Sequence, residues 1–461
     1  MHLKYLVSLF ISSVLICAGC TTHRNNNMAL VESRPLVRNH GSYPPPALTS
    51  TSSESLMFEE QADDRITLPQ ALSLALMKNP RLAVFSWEVR AGEARTLQAG
   101  LLPNPKLEIE IEEFGGTGEQ RRFDGTETTI AVNQLIELGG KRSKRKRIAA
   151  LERDLAGWDY ETKRLDVFAE VTKAFVDLLA AQQKLDLMRD IFNLAEQVFK
   201  TVSGQVKAGK VSPIEETKAR VALSIISIEK EQVGSELVNA RRHLAATWGS
   251  TSPVFQEAKG ELEAIIPIPP FEDLMNRISQ NPDMERWPTE LEKRQATLEM
   301  ENANQIPDLT IGGGIKHLGE TEDLTYVMGI SIPLPLLNRN QGRVHEAQYH
   351  LAKAKEEFSA VNVAIRTALH EAYQVLSTAF VKATYLKNDV VPGAQSAFDA
   401  VNEGYREGKF GYLDMLDAQH SLFEAKKQYI EALARYHKAE TTIERLIGKS
   451  LRSIKYSAEQ G

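Results

Sequence analysis

Cysteine is nearly absent. The 461 residues contain only Cys17 and Cys20, so the chain beyond residue 20 can form neither an intrachain disulfide nor a thiolate metal site. Long apolar runs are equally scarce. After the first twenty residues no stretch of about 18 consecutive apolar residues occurs, which excludes a transmembrane helix and leaves a β-barrel as the only way to span a bilayer. An excess of one charge is missing too: 55 Lys+Arg against 61 Asp+Glu, net -6, gives no signal for nucleic acid. No motif assembles a nucleophile, a base and an orienting acid, so we expect no enzymatic activity. His345-Glu346 is followed by His350, five residues on from the first histidine instead of the four that a zinc helix needs, and is a solvated helix face. The ten histidines form no cluster, and no cofactor or dedicated metal site is expected. Gly312-Gly313-Gly314 lies in a strand pattern with no helix after it, so it serves barrel curvature or lumen space instead of cradling a phosphate.

What is present begins with an export signal. Lys4 precedes an apolar run over residues 6–16, the length of a secretory core and too short for a bilayer, so residues 1–19 are expected to be a signal peptide. Cys17-Ala18-Gly19-Cys20 resembles a bacterial lipobox, although Cys17 stands where leucine is usual. Lipidation at Cys20 is expected, and Thr21 after it favours the outer membrane over inner-membrane retention. Residues 20–65, rich in Ser, Thr, Asn and Pro, including Pro44-Pro45-Pro46, form a lipid-anchored linker without a core.

The rest of the chain is duplicated. Asn79-Pro80 recurs as Asn281-Pro282, and Pro105-x-Leu107-x-Ile109 recurs as Pro307-x-Leu309-x-Ile311, both 202 positions on. Gly209-Lys210 returns as Gly408-Lys409, and Trp248-Gly249 as Ile447-Gly448, each 199 positions on. The repeats span residues 66–250 and 268–449, with a tail over 450–461. Each reads as helix, two strands, one very long helix, tight turn, helix. The first opening helix starts at Thr67, an N-cap, and runs to about Gly100. Leu107, Ile109 and Ile111 alternate with Lys106, Glu108, Glu110 and Glu112, the period of a strand between an apolar and an aqueous phase. Strands are expected near 105–114, 127–138, 307–317 and 325–335, close to the nine to eleven residues that cross an outer membrane. No proline interrupts residues 141–212, which predicts a helix of roughly 100 Å whose apolar seam needs neighbours along its whole length. Pro392 predicts a kink or break in the second long helix.

Two strands per repeat make four per chain, too few to close a barrel, and open edges are not tolerated in lipid. Chains must therefore share one barrel. Two copies would leave an interior filled by side chains and three would leave a lumen, so a conducting object is a trimer.

The segment Tyr405-Arg406-Glu407-Gly408-Lys409-Phe410-Gly411-Tyr412-Leu413-Asp414-Met415-Leu416-Asp417-Ala418-Gln419 resembles the helix-turn-helix of the TolC-type outer membrane efflux family. Ile332-Pro333-Leu334-Pro335-Leu336-Leu337-Asn338-Arg339-Asn340-Gln341-Gly342, with Leu138-Gly139-Gly140-Lys141-Arg142, resembles its CzcC-like heavy-metal branch. The resemblance implies an α+β membrane protein: a homotrimeric 12-stranded β-barrel, four strands per chain, continued by a periplasmic α-helical coiled-coil tunnel. It also implies a periplasmic membrane-fusion adaptor and an inner-membrane RND transporter as partners, and divalent heavy-metal cations as cargo. A duct for drugs or secreted proteins is the alternative within this class, and a coiled-coil surface scaffold lipoprotein the alternative outside it.

By the same resemblance Asp414 and Asp417 match acids at the periplasmic aperture, where a trimer would gather six carboxylates into a cation-favouring ring. Capping and solvation of the helix start is the competing reading. Glu215 and Lys218 occupy the equivalent positions of the first repeat, which does not duplicate the double acid. Gly209, Lys210, Gly408, Lys409 and Gly411, with Gly204 and Gly404 nearby, mark turns where an adaptor would dock, although turn geometry alone also calls for glycine. Lys141, Arg142, Lys144, Arg145, Lys146 and Arg147 fall where the first return strand meets the periplasmic leaflet, and contacts with lipid head groups are expected there.

Overall fold

The computed structural model describes residues 64–118, 123 and 125–453. The signal sequence, Cys20 and the linker up to residue 63 lie outside the described residues. β1 (Arg65–Thr67) leads into α1 (Leu68–Lys78) and α2 (Pro80–Ala99). β2 (Lys106–Glu112) and β3 (Glu127–Ile136) follow, then α3 (Lys141–Lys207), α4 (Pro213–Ala246) and β4 (Glu257–Lys259). The second repeat has α5 (Phe271–Met275), a 3-10 turn (Ile278–Gln280), α6 (Pro282–Ala303), β5 (Leu309–Leu318) and β6 (Asp323–Ser331). α7 (Gln341–Tyr385), α8 (Val391–Arg406) and α9 (Tyr412–Ile447) complete it.

Three expectations are corrected. The opening helix is two helices, because Asn79 before a proline takes an extended ψ of 115° and its side chain caps the second one. β2 has seven residues, shorter than expected, since Glu113 turns left-handed (φ 56°) and leads the chain out of the sheet. β6 stops at Ser331 because Pro333 and Pro335 have no N–H for a ladder. At Pro392 the chain stays helical: a π-turn over Leu386–Val390 accommodates the missing N–H and the ring.

The repeated motifs meet in space. Asn79 Oδ1 accepts the Leu82 N–H at 3.0 Å while its Nδ2 donates to the Thr247 carbonyl at 2.6 Å. Asn281 does the same in its own repeat, accepting from Asp283 N–H at 2.7 Å and donating to the carbonyls of Leu446 at 2.7 Å and Arg445 at 3.0 Å. Each Asn-Pro therefore caps its own helix and ties down the end of the return helix. The glycine after that end has positive φ, 82° at Gly249 and 71° at Gly448. A side chain there would also crowd Pro80 in the first repeat and the Gln280 carbonyl in the second.

The cores lie around α3 and α9. Val167, Val171, Phe175 and Leu178 of α3 are buried with Ala71 and Leu72 of α1, Leu244 of α4 and Leu433 of α9. Leu369 and Leu376 of α7 bury against Tyr436, Ile443 and Ile447 of α9. A two-stranded parallel sheet of β1 and β4, which the sequence did not announce, is clamped to α3 by Gln182, whose amide bonds both the N–H and the carbonyl of Ala258.

At the end of α9, Glu444 accepts from Ser450 Oγ and the Leu451 N–H, both at 2.8 Å. Burial, with Glu440 beside it, pushes its carboxyl up to about 7. A folded value raised above the unfolded one means stability fully present below the unfolded value and lost as pH rises through about 7. The thermal midpoint is expected to fall across that window. Glu444→Gln keeps the acceptor oxygen and should be more stable than the parent by about 1–2 kcal/mol near pH 8. A Glu444→Gln chain that keeps the parent's pH slope would exclude this carboxyl as its source.

Candidate functional site

The four-stranded sheet runs β2-β3-β5-β6, antiparallel throughout. Its register sorts the side chains by face. Ile109 pairs with Ile130 and Ile130 with Ile315, which pairs with Tyr326. The neighbouring rows add Leu107, Ile111, Val132, Ile311, Leu324, Met328 and Ile330 to the same face, with Thr128, Gln134 and His317 among them. Tyr326 and Met328 are 80% and 85% exposed. A predominantly apolar face of this kind is a surface made for lipid.

The opposite face is polar and acidic. Glu108, Glu110, Glu112, Glu127 and Asp323 outnumber Lys106 and Lys316 there. Asn133 Nδ2 donates to Glu108 at 2.5 Å. Lys316 bonds Glu127 and lies 3.6 Å from Glu112, joining three strands. Glu110 has no cation partner among the described residues. Gly312 and Gly314 share this face beneath Asn133 and Ala131: a Cβ at Gly312 would collide with Asn133 Oδ1, and one at Gly314 with the Ile130 carbonyl. Close strand approach is thus the reason for Gly314, and room for the Asn133 side chain the reason for Gly312. Lys316 was missed in the sequence, although its parity with Gly312 and Gly314 places it on the polar face.

In the basic cluster, the expectation of head-group contact is corrected for Lys141. Lys141 is buried, 2.7 Å from Asp308 Oδ1 and 2.6 Å from the Ile306 carbonyl, and so staples the start of α3 to the entry of β5. Arg145 holds Glu137 and the carbonyls of Ala99 and Leu101, and Arg142 the Gly100 carbonyl at 2.6 Å. Lys144 reaches the Gly139 carbonyl at 3.4 Å. Arg142 and Arg145 complete the C-terminal end of α2, where carbonyls lack intrahelical donors and the helix dipole is negative. Burial removes Lys141 from lipid contact, while Arg142, Lys146 and Arg147 stay exposed.

At the far end of the long helices two turns lie side by side. Lys210 N–H bonds the Gln205 carbonyl at 2.9 Å, and Lys409 N–H the Gly404 carbonyl at 2.7 Å, the same closing pattern in both repeats. It requires a left-handed residue, supplied by Gly209 (φ 69°) and Gly408 (φ 78°). Gly404 is required for another reason: a Cβ would run into the Phe410 ring. Gly411 has an ordinary φ of -81°, and its N–H donates to Asp414 Oδ2 at 2.8 Å. Asp414 therefore caps α9, and Asp417 is exposed one turn on. Lys210 and Lys409 are exposed, Lys409 pairing with Glu407 at 2.6 Å.

Glu215 is half-buried and faces the second hairpin. Tyr405 and Tyr412 meet there at a tilt of 55° with centroids 6.4 Å apart, and the Tyr405 hydroxyl donates to Gln205 Oε1 at 3.4 Å. Burial, then Tyr405 and Glu215, push the Tyr412 phenol up to about 12. Periodicity treats these tyrosines as ordinary core residues, so their meeting across repeats was not legible.

Among the described residues no helix is long and apolar enough to cross a membrane, and no group of His, Cys, Asp or Glu is placed to hold a metal ion. A model of the family described as outer membrane efflux protein matches residues 71–250 and 275–449. The chain is 37% identical over 393 residues to the cobalt-zinc-cadmium resistance protein CzcC of Cupriavidus metallidurans, covering 85% of this chain and 92% of that protein. It is 23% identical over 315 residues to the nickel and cobalt resistance protein CnrC of the same species, covering 68% and 73%. Among solved structures it is similar to the CmeC outer membrane channel of Campylobacter jejuni (TM-score 0.70, 15% identity, 83% and 85% covered). It is also similar to CusC (TM-score 0.71, 15% identity, 83% and 92% covered). Those structures speak for the fold, which is TolC-like. With both repeats matched and a relative above a third identical along most of its length, the chain belongs to the outer membrane efflux protein family.

Proposed function

We propose that three copies of this chain form the outer-membrane exit duct of a tripartite efflux system that exports divalent heavy-metal cations. The observation that carries the reading is the two-faced sheet with open edges at β2 and β6. An apolar face in lipid cannot end on bare N–H and C=O groups, so each edge needs another chain, and three four-stranded sheets leave a lumen. The helical layer has the same incompleteness. Val84, Trp87 and Leu97 are exposed on α2, and Tyr349 and Val363 on α7.

The acidic face lines the lumen and favours cations without binding them tightly, as passage requires. The names of the two metal-resistance relatives support metal ions as cargo, and a periplasmic adaptor and an inner-membrane transporter as partners follow from the family. The two hairpin turns are the surface for the adaptor. Asp414 and Asp417 belong to the periplasmic aperture in this reading, Asp417 with its carboxylate uncommitted and Asp414 also serving as a cap.

The test is single-channel recording in a planar bilayer under a salt gradient, with the mass in detergent measured first. A cation-selective trimer is expected. Asp414→Asn with Asp417→Asn keeps a capping acceptor and should lower the cation-to-anion permeability ratio several-fold with assembly intact. Unchanged selectivity would remove the aperture ring, and a trimer that does not conduct would remove the duct.

A further inference from the structure

Two patches of exposed leucine flank the sheet at the end where it meets the helices. One follows the edge strand β6, with Leu334, Leu336 and Leu337 exposed by 76%, 71% and 91%. The other precedes the opposite edge strand β2, with Leu97, Leu101 and Leu102 exposed by 71%, 50% and 63%. Both are far more exposed than isolated surface leucines on a soluble domain need to be. β2 runs away from the helices and β6 runs back towards them. When β6 of one copy meets β2 of the next, the two strands are therefore antiparallel, and the residues after Ser331 arrive at the same end of the seam as those before Lys106.

Neither patch can extend the seam by backbone bonding. Pro333 and Pro335 interrupt one side, and Pro103 and Pro105 the other, so each lacks alternate N–H donors. Apolar contact is what remains. On this geometry we infer that the two leucine patches are the halves of one clasp: Leu334, Leu336 and Leu337 of each copy pack on Leu97, Leu101 and Leu102 of the next, sealing the ring beneath the barrel. The occupant is a second copy of this chain, because the patches continue the two edges that need one. The clasp rests on the trimer reading above and deepens it by naming contacts that the strand seam does not include.

The test is cross-linking in native membranes, in a chain whose only cysteines are Cys17 and Cys20. Leu102→Cys with Leu336→Cys is treated with a short bismaleimide, and the same preparation is weighed in detergent by light scattering. A ladder of cross-linked dimer and trimer is expected from the double variant and from neither single one. Separately, Leu334→Ser with Leu336→Ser and Leu337→Ser should raise the monomer fraction at fixed detergent about tenfold or more, since three apolar contacts per interface are lost. A trimer by mass that gives no ladder, with the thiol introduced in place of Leu336 alkylated by a lipid-soluble maleimide, would show that the leucines face lipid and overturn the clasp while the trimer stands. A monomer by mass would take down both.

Discussion

Arginine in place of Ile130 is expected to remove the folded barrel from the outer membrane. Ile130 lies in the middle of β3, between Ile109 and Ile315 on the apolar face. An arginine on a lipid-facing strand near the bilayer centre costs roughly 2–4 kcal/mol, and a homo-oligomeric barrel repeats that cost in every chain. Thr129 is the control, one residue away and on the other face, opposite Glu110 and Lys316. Thr129→Arg enters the aqueous acidic lumen and should assemble normally. The readout is the amount of heat-modifiable, folded protein in outer-membrane fractions. Equal yields from the two variants would mean that the register does not sort a lipid face from a lumen face.

The second large effect is expected at Arg445. From α9 its Nε donates to Asp166 Oδ1 of α3 at 2.8 Å, and its Nη1 bonds Asp283 of α6. Asp283 is held further by the Thr162 hydroxyl at 2.9 Å. One guanidinium thus ties both repeats together where the return helix ends. Arg445 and Asp283 keep only 21% and 23% side-chain exposure, so Arg445→Met leaves two carboxylates without their cation in a poorly hydrated place. Removing one member of a buried pair costs about 3–5 kcal/mol, and the 39% exposure of Asp166 lowers the expectation to about 2–3 kcal/mol. The thermal midpoint in detergent should drop accordingly. Arg445→Met with Asp283→Asn should recover part of the loss, because the uncompensated charge and not the missing contact is the larger penalty. Stability equal to the parent's in the single variant would exclude the node.

The duplication was plain from Asn79-Pro80 and Asn281-Pro282, and from Trp248-Gly249 and Ile447-Gly448. That these motifs touch was not, because they lie more than 160 residues apart and the bonds run from a side-chain amide to a helix-end carbonyl. The strands were legible wherever apolar and charged residues alternate, as in β2, and their ends were less so. Local sequence marks the period well, but a strand stops where a left-handed Glu113 or a missing N–H interrupts pairing. The six cations after Gly140 were visible as a cluster, yet charge alone does not say whether a partner is a head group or a carbonyl.

Composition and periodicity by themselves determined that no segment beyond residue 20 is long and apolar enough for a transmembrane helix, that the chain is two copies of one unit, and that it alternates membrane-type strands with very long helices. Those properties are local and repeat along the chain, so a single sequence carries them. Only the tertiary structure decided that Lys141 is a buried staple, that Gly404 makes room for Phe410, that Glu215 turns towards Tyr405 and Tyr412, and that the leucine patches occupy opposite edges of one sheet. Each of these depends on which distant segments share a place in space. Strand register and helix packing set that, and no spacing along the chain encodes it.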